Sequence, residues 1–221
     1  WVMSNHDGIR HATRLGIAPE HTPRPGDGIH PTDPAPDEAL GLRRARAATM
    51  LLLALPGCTY MYQGEELGLL EVPDLPGQVL QDPIWLRDGM THKGRDGCRV
   101  PLPWTREGSS FGFGSGGAHL PQPSWFGDFS VEAEDGVAGS TLELYREAIA
   151  LRKQLQTAED LEWVHSLHPK VVHFKRPNGW HCITNFGKKP IALPHGTVRL
   201  TSSPLIDGHL AGNSTAWITE D

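Results

Sequence analysis

The sequence predicts an α/β fold in which one parallel unit of strand, loop, helix and strand is followed by a small antiparallel β region. Residues 1–3 are apolar, as at the end of a buried strand, and a helical pattern and a second strand pattern follow. After residue 156 the pattern changes to short strands at short spacing. Parallel units place their polar functional groups beyond the carboxyl ends of the strands. The Asn-His-Asp triplet at 5–7 and Gln-Gly-Glu-Glu at 63–66 both occupy that position.

The first long helix is predicted over residues 36–55. Pro36 stands near the first helical position, Asp37 and Glu38 occupy the positive N-terminal end, and Pro56 with Gly57 ends the run. The apolar stripe consists of Leu40, Ala47, Met50, Leu51 and Leu55. The opposite side of the helix, predicted to face solvent, carries Arg43, Arg44 and Arg46. This pattern is typical of a helix that packs one face on a sheet.

The segment CTYMYQ, residues 58–63, is rich in β-branched and aromatic residues and predicts a buried strand. Residues 67–139 follow, rich in Gly, Pro and Trp and much longer than a connection between two elements requires. We therefore interpret 67–139 as a long loop that shapes a functional site.

A second helix begins after Ser140, because Ser140 and Glu143 have the spacing of a capping box, and its apolar periodicity continues to about residue 154. The strand patterns KVVHFKR and WHCITNF then flank a Pro-Asn-Gly hairpin signal at 177–179, and PIALP, TVRLTS and TAWIT come next. The predicted domains are residues 1–156, the α/β part, and residues 157–221, a small antiparallel sheet or sandwich.

Composition excludes several function classes. The chain has 221 residues, 38% of them hydrophobic, which suffices for a core, and its net charge of −6 comes without a run of Lys or Arg. We expect no nucleic-acid partner. No apolar stretch approaches the roughly 18 residues of a membrane span, so no membrane partner is expected. Three cysteines far apart in the sequence suggest reduced thiols and a cytoplasmic location.

The Asn-His-Asp triplet has two interpretations. On spacing alone it is a turn with an Asx cap. Alternatively His6 and Asp7 bind substrate hydroxyls or stabilise a developing positive charge. A metal held by His6 and His11 has little support, because no third ligand has suitable spacing, and no metal or other cofactor is predicted.

A second motif, GRDGCRVPLPW at residues 94–104, places Arg95, Asp96 and Arg99 among glycines, prolines and a tryptophan. These charges form either an ion-pair network that holds the loop or a wall that binds substrate. Arginine forks grip vicinal hydroxyls or a carboxylate with fixed geometry, and a tryptophan face stacks on a sugar ring. The residues alone leave both possibilities open.

Three motifs together carry a family resemblance. WVMSNHDGIRHATRLG, LPGCTYMYQGEELG and QDPIWLRDGMTHKGRDGCRVPLPW, in this order and at these separations, resemble the α-glucosidases of glycoside hydrolase family 13, the α-amylase family. The similarity is strongest to bacterial α-glucosidases and oligo-1,6-glucosidases. It implies the C-terminal portion of a (β/α)8 TIM barrel, with strands seven and eight and their helices, followed by a small antiparallel β-sandwich domain.

The same resemblance implies roles for single residues. Asp7 would be the catalytic carboxylate that stabilises the transition state, and His6, Arg10 and Arg95 would bind substrate, with Arg95 closing the pocket around the terminal glucose. The family's nucleophilic Asp and acid/base Glu belong to barrel strands four and five, outside residues 1–221. Glu65 and Glu66 do not replace them, since adjacent side chains point in different directions.

These expectations describe a fragment of a retaining α-glucosidase that acts on terminal α-glucosidic bonds of oligosaccharides. Two parallel strands leave apolar faces uncovered, so the chain is expected to fold poorly and to be inactive without the missing N-terminal barrel half as its partner. Two alternatives remain. One is a transglycosylating sucrose or trehalose isomerase, and the other is a non-enzymatic carbohydrate-binding or partner subunit.

Overall fold

The computed structural model describes residues 1–24, 26–166 and 168–221, which form two compact units. The sheet unit comprises Trp1–Val2, Arg43–Tyr60 and Leu144–Asp221, and the loop unit comprises Met3–Leu42 and Met61–Glu143. The sheet thus shares a unit with helical residues N-terminal to 156. The domain boundary predicted at residue 156 stays a prediction.

The described helices and strands have the following bounds. The helices are α1 His11–Arg14, α2 Glu38–Ala54, α3 Pro83–Arg87, α4 Val131–Glu134 and α5 Thr141–Leu155, and 3-10 turns cover Pro19–His21, Gly77–Val79, Asp96–Cys98, Ser109–Gly112 and Ser124–Phe129. The strands are β1 Glu162–Trp163, β2 Val171–Arg176, β3 Trp180–Asn185, β4 Thr197–Thr201 and β5 Ser214–Thr219.

Both long helices lie close to their predicted bounds. Helix α2 begins at Glu38 because Asp37 caps it: Asp37 Oδ1 accepts a hydrogen bond of 2.9 Å from Leu40 N. Helix α5 is capped by Ser140, whose Oγ accepts from Glu143 N at 3.2 Å. The capping signals in the sequence therefore located both N-termini to within two residues.

The arginine face of α2 is only partly solvent-facing, which corrects the sequence interpretation. Arg43 is exposed, but Arg44 Nε donates to Asn213 Oδ1 at 3.1 Å and Arg46 Nε donates to Ser202 O at 3.1 Å. Long arginine stems cover neighbouring surface while their charged ends reach polar partners. A helical wheel does not show such partners, because they lie far away in the sequence.

The five strands form one antiparallel sheet in the order β1-β2-β3-β5-β4. Strands β2 and β3 pair from Val171 opposite Asn185 to Arg176 opposite Trp180, which confirms the hairpin. Its turn holds Asn178 at φ 62° and Gly179 at φ 68°. Asparagine and glycine tolerate this left-handed region best, so the turn residues determine the register.

The predicted β-sandwich is wrong for the described part of the chain, where all five strands join one sheet. Helices, not a second sheet, cover one sheet face. The core on that face consists of Met50, Leu53, Ala54, Leu144, Ala148, Phe174, Trp180, Cys182 and Trp217. The segment PIALP contributes only an isolated bridge between Ile191 and Leu210. Prolines at 190 and 194 supply no N–H donors, which prevents a longer ladder there.

The segment 58–63, predicted as a buried strand, is largely exposed in this structure, and its place as a barrel strand stays a prediction. The segment makes one parallel bridge, Val2 with Tyr60, in which Tyr60 N donates to Trp1 O at 2.8 Å. Tyr60 is 68% exposed, and Trp1 and Val2 are 52% exposed each. The parallel direction agrees with the prediction, but a single bridge without flanking strands neither buries the segment nor extends the ladder.

The long segment 67–139 is organised around its own hydrophobic core within the loop unit. This core consists of Leu67, Leu69, Val72, Leu75, Leu80, Val100, Leu120, Phe126 and Leu142. Helices α3 and α4 and four of the 3-10 turns interrupt the segment. Because buried apolar contacts occur along its length, the segment holds a defined conformation around the motif at 94–104. Among the described residues, no helix combines the length and apolar character needed to cross a bilayer.

The aromatic pair Trp180 and Trp217 gives a stability test of the sheet unit. Their rings pack edge to face at 5.0 Å, both are fully buried, and Trp217 Nε1 donates to Met50 O at 3.2 Å. Trp217→Ala should lower the free energy of unfolding by about 3 to 5 kcal/mol because it leaves a cavity between sheet and helix. Urea denaturation monitored by circular dichroism measures this loss.

Trp163→Ala, at an exposed tryptophan of the same sheet, is the control and should cost less than about 1 kcal/mol. Equal losses would contradict the assignment of the core.

Candidate active site

The loop unit brings the Asn-His-Asp triplet and the GRDGCR motif together. Arg95 Nη1 donates to Asp7 Oδ1 at 2.6 Å, and Arg99 Nη2 lies 3.5 Å from the same oxygen. Arg99 Nε donates to the backbone oxygen of His6 at 2.9 Å. The two segments are almost 90 residues apart in sequence, so only tertiary structure makes this a single site.

Asp7 and His6 face outward. The side chain of Asp7 is 50% exposed and that of His6 is 67% exposed, and His6 Nε2 lies 3.5 Å from Asp7 Oδ2. Asp7 N donates to Asn5 Oδ1 at 2.8 Å, which is an Asx turn. The turn and the functional interpretation of the triplet are therefore compatible, because the turn presents the carboxylate.

A cavity of 360 Å³ adjoins Asp7. Its lining also includes Arg14, Arg24 and Asp27 from the loop unit. Met3, Ile9 and Pro23 line the same cavity, which therefore combines charged and apolar side chains beside Asp7.

Asp82 accepts three hydrogen bonds from Arg95. Arg95 Nε donates to Asp82 Oδ2 at 2.5 Å, Arg95 Nη2 donates to Oδ1 at 3.1 Å, and the backbone N–H of Arg95 donates to Oδ2 at 3.0 Å. The Asp82 side chain is fully buried. The hydrogen bonds from Arg95 hold the pKa of Asp82 down to about 2, and the same bonds raise the pKa of Arg95. Both groups are therefore charged at neutral pH.

A third carboxylate completes the network. Asp96 Oδ2 accepts from Gln81 N at 2.5 Å and from Asp82 N at 2.8 Å. Arg99 Nη1 lies 3.7 Å from both Asp82 Oδ2 and Asp96 Oδ1. The loop-holding ion-pair network is thus present. The substrate wall stays a prediction, and the two interpretations are compatible because the network leaves Asp7 exposed.

Two glycines of this motif permit the close approach of the charged groups. Gly94 has φ 72°, and a Cβ at this position would stand 2.7 Å from Asp82 Cβ. A Cβ at Gly97 would stand 2.5 Å from Glu71 Oε1. Any other residue at either position would push a carboxylate away from its partner.

Arg10 lies in the interior, and the sugar contact predicted for it stays a prediction. Arg10 is 3% exposed. Its Nη1 donates to Gln63 O at 2.7 Å and its Nη2 donates to Cys98 O at 2.8 Å, while its charge lies 5.4 Å from the centre of the Tyr62 ring. Two guanidinium nitrogens thus donate to backbone oxygens, while the buried Nε has no hydrogen-bond partner among the described residues. Through these bonds, Arg10 links the segment that follows Asp7 to Gln63 and to Cys98 of the GRDGCR motif.

Buried titratable groups lie beneath the site. Burial raises the pKa of Glu71 to about 7, although its Oε2 accepts from Arg10 N at 2.9 Å. Burial lowers the pKa of His11 to about 4. Ser4 Oγ lies 2.8 Å from His11 Nδ1, and Glu65 Oε1 lies 3.7 Å from the same nitrogen. Because both partners reach one nitrogen, this buried trio is not a nucleophile relay.

The histidine placements also bear on metal binding. His11 is buried and bonded to Ser4, whereas His6 is exposed, so the two do not present a joint ligand set. Within residues 1–24, 26–166 and 168–221 there is no group of three His, Cys, Asp or Glu side chains arranged to hold a metal ion.

The side chains of Glu65 and Glu66 both accept hydrogen bonds from backbone N–H groups of the adjacent residues 62–64. Glu65 Oε1 lies 3.2 Å from Tyr62 N, which donates to it, and Glu66 Oε2 accepts from Gly64 N at 2.8 Å. These bonds organise the turn after residue 63. They agree with the expectation that the two glutamates are not a catalytic pair.

Comparison with known proteins identifies the family. The family model described as the alpha amylase catalytic domain matches residues 1–160. A probable alpha-glucosidase from Rhizobium meliloti (strain 1021) is 34% identical over 153 residues, which are 69% of this chain and 24% of that protein. An oligo-1,6-glucosidase from Parageobacillus thermoglucosidasius is 26% identical, over 94% of this chain and 38% of its own length. The chain therefore spans between a quarter and two fifths of the length of these relatives.

Solved structures share the fold. The α-glucosyl transfer enzyme XgtA superposes with a TM-score of 0.74 at 30% identity, over 100% of this chain and 40% of that one. A trehalulose synthase superposes with a TM-score of 0.71 at 18% identity, over 99% and 42%, which shows the fold alone. The chain belongs to the α-amylase family, a class of glycoside hydrolases and transglycosylases. Within that family it is related to the α-glucosidases.

The sequence pointed to most of this site but missed Asp82. Asp7, His6 and Arg95 were predicted and lie together, and Arg99 was recognised within the motif without an assigned role. Asp82 has a local signal, since Asp followed by Pro begins helix α3, and Asp82 Oδ1 accepts from Ile84 N at 3.1 Å. That signal identifies a helix cap and says nothing about a partner 13 residues away.

The raised pKa of Glu71 predicts a pH-dependent stability difference. A carboxyl whose pKa is raised by folding to about 7 stabilises most below its ordinary value of 4.5, and this contribution is lost as pH rises through 7. Relative to Glu71→Gln, the wild type should therefore lose roughly 3 kcal/mol of stability between pH 5 and pH 8.

Thermal unfolding of both proteins across this pH range tests the prediction. The opposite pH dependence of His11 is common to both and cancels in the difference. Glu107→Gln, at an exposed glutamate of the same unit, is the control. A pH-independent difference for Glu71→Gln would show that Glu71 is already charged in the folded protein.

Proposed function

We propose that these residues are the C-terminal part of a retaining α-glucosidase that hydrolyses terminal α-glucosidic bonds of oligosaccharides. They would supply the last two strands and helices of a (β/α)8 barrel and a C-terminal β domain. The observation that carries the proposal is the Asp7 carboxylate, which is half exposed and held through one oxygen by Arg95. The similarity to α-glucosidases over most of the chain supports the same substrate class.

Asp7 would act as a transition-state stabiliser. Arg95 occupies Oδ1, so Oδ2 is available to accept hydrogen bonds from sugar hydroxyls. Such bonds strengthen as positive charge develops on the sugar ring in the oxocarbenium-like transition state. His6, beside Oδ2, would bind the same sugar, and Arg95 would form the wall of the pocket.

The bond chemistry requires two further carboxyl groups. A retaining glycosidase needs a nucleophile and an acid/base about 5 to 5.5 Å apart. In the described part of the chain, the carboxylates bonded to the site arginines besides Asp7 are Asp82 and Asp96, and both are committed to the network. We therefore propose that the nucleophilic Asp and the acid/base Glu belong to an N-terminal barrel half outside residues 1–221. The chain alone would then be inactive. A cytoplasmic location is part of this proposal.

A transglycosylating isomerase is the second candidate, and the similarity to an α-glucosyl transfer enzyme and to trehalose synthase/amylase TreS of Mycobacterium tuberculosis favours it. The two reactions share the Asp7 role and differ in the acceptor. Hydrolysis of sucrose or maltose releases glucose, whereas isomerisation conserves the disaccharide. Product chromatography with the complete protein distinguishes them.

Asp7→Asn tests the proposal. In the protein that contains the remaining barrel, this change should lower kcat on an aryl α-glucoside by about 10²- to 10³-fold, because the neutral amide no longer stabilises the developing charge. KM should change much less. Asp128→Asn, at an exposed aspartate of the loop unit, is the matched control and should retain full activity.

Two results would contradict the proposal. One is an Asp7→Asn protein that keeps more than half of its kcat. The other is turnover by the 221-residue chain alone that depends on its own carboxylates. Absence of activity with every α-glucoside, combined with retained sugar binding, would favour the non-enzymatic subunit.

A further inference from the structure

We infer that Asp82 is a positioning residue that fixes the Arg95 guanidinium in the orientation required to hold Asp7. The inference rests on the proposed function, in which Asp7 stabilises the transition state. It adds a residue that does not contact the sugar and acts through Arg95. The two carboxylates lie on opposite sides of one guanidinium, and they differ in burial, in the number of bonds and in rigidity.

The bonding of Arg95 is asymmetric. Toward Asp82 it donates three hydrogen bonds, from Nε, from Nη2 and from the backbone N–H, at 2.5 to 3.1 Å. Toward Asp7 it donates one, from Nη1 at 2.6 Å. A bidentate fork fixes the plane of a guanidinium, whereas a single bond leaves it free to rotate. The orientation of Arg95 is therefore determined by Asp82.

Asp82 is itself held from several sides. Its side chain is fully buried, while that of Asp7 is 50% exposed. Asp82 Oδ1 caps helix α3 through Ile84 N, and Asp82 N donates to Asp96 Oδ2. A Cβ on Gly94 would stand 2.7 Å from Asp82 Cβ, so the backbone of the motif packs directly on this side chain. The buried end of the pair is fixed, and the exposed end faces the substrate cavity.

This placement suits a site whose reacting geometry must be held within a fraction of an ångström. A carboxylate that stabilises charge must not follow the motion of a long, solvent-exposed arginine. Asp82 removes that freedom without occupying the sugar site. A helix cap alone would need one oxygen of Asp82, and within the described part of the chain the second oxygen pairs only with Arg95 and Arg99.

The kinetic test uses Asp82→Asn and Arg95→Lys in the complete protein. The Asn variant keeps one oxygen for the cap and places an N–H2 group in the network, and the Lys variant keeps the charge but loses the fork. Each should lower kcat/KM on an aryl α-glucoside by about 10- to 100-fold, mainly through kcat, since Asp7 is misplaced in the transition state.

In an Arg95→Ala background, Asp82→Asn should change kcat/KM by less than about 2-fold. Asp88→Asn, at the exposed C-terminal end of α3, is the control and should leave activity unchanged.

A second readout does not depend on activity. The Arg95 Nε–H, bonded to Asp82 Oδ2, should give a slowly exchanging side-chain resonance in a ¹⁵N-labelled protein, assigned by its absence in Arg95→Lys. The resonance should disappear or shift in Asp82→Asn and persist in Asp88→Asn. The measurement is made on the complete protein, in the same samples as the kinetic test.

The outcomes separate the inference from the proposed function. Loss of the resonance and of kcat, without further loss in the Arg95→Ala background, supports both. Loss of the resonance with kcat/KM within 2-fold of wild type overturns the positioning role and leaves the α-glucosidase assignment intact. A wild type that neither hydrolyses nor transfers glucose from α-glucosides refutes the proposed function, and with it a catalytic role of Asp82, even if the resonance shows the bond. Additive effects of Asp82→Asn and Arg95→Ala would mean that Asp82 acts independently of Arg95, which overturns the positioning role.

Discussion

The structure of this site depends on one guanidinium shared between a buried and an exposed carboxylate. Arg95 brings its charge to the fully buried Asp82, which could not remain ionised there without a partner. The same group donates from Nη1 to Asp7 at the surface. Separating Asp82 from Arg95 would leave an unpaired charge in the interior, which costs free energy, so the interaction resists rearrangement. The exposed carboxylate thereby acquires a fixed position that its own short turn does not provide.

Much of the loop unit serves this pairing. Its apolar core anchors the segment around residues 94–104, and Gly94 and Gly97 let the backbone approach Asp82 and Glu71 more closely than a side chain would allow. Arg10 joins the two motif segments from below through backbone oxygens. The long segment 67–139 therefore has a defined conformation around the motif at 94–104. Apolar burial, backbone conformation and charge pairing all act on the same few residues.

The proposed function makes the site an electrostatic stabiliser more than a reacting centre. Asp7 is exposed and oriented, and Asp82 and Asp96, which pair with Arg95 and Arg99, hold that arrangement. This division of labour is consistent with a family in which separate carboxyl groups make and break the glycosidic bond. Glucosidases and glucosyl-transferring relatives can share such a stabiliser, because the charge that develops on the sugar is the same in both reactions.

The sequence by itself determined the elements whose signals are local. Capping residues located α2 and α5, the Asn-Gly turn fixed the β2–β3 hairpin, and the order of three motifs identified the family. Tertiary structure alone decided the rest, because those outcomes depend on partners distant in sequence. It placed the strand-like segment 58–63 at an exposed single bridge, covered the sheet with helices instead of a second sheet, buried Arg10, and joined Asp82 to Arg95. Propensity and spacing describe what a residue can do locally, and burial and pairing are properties of the assembled chain.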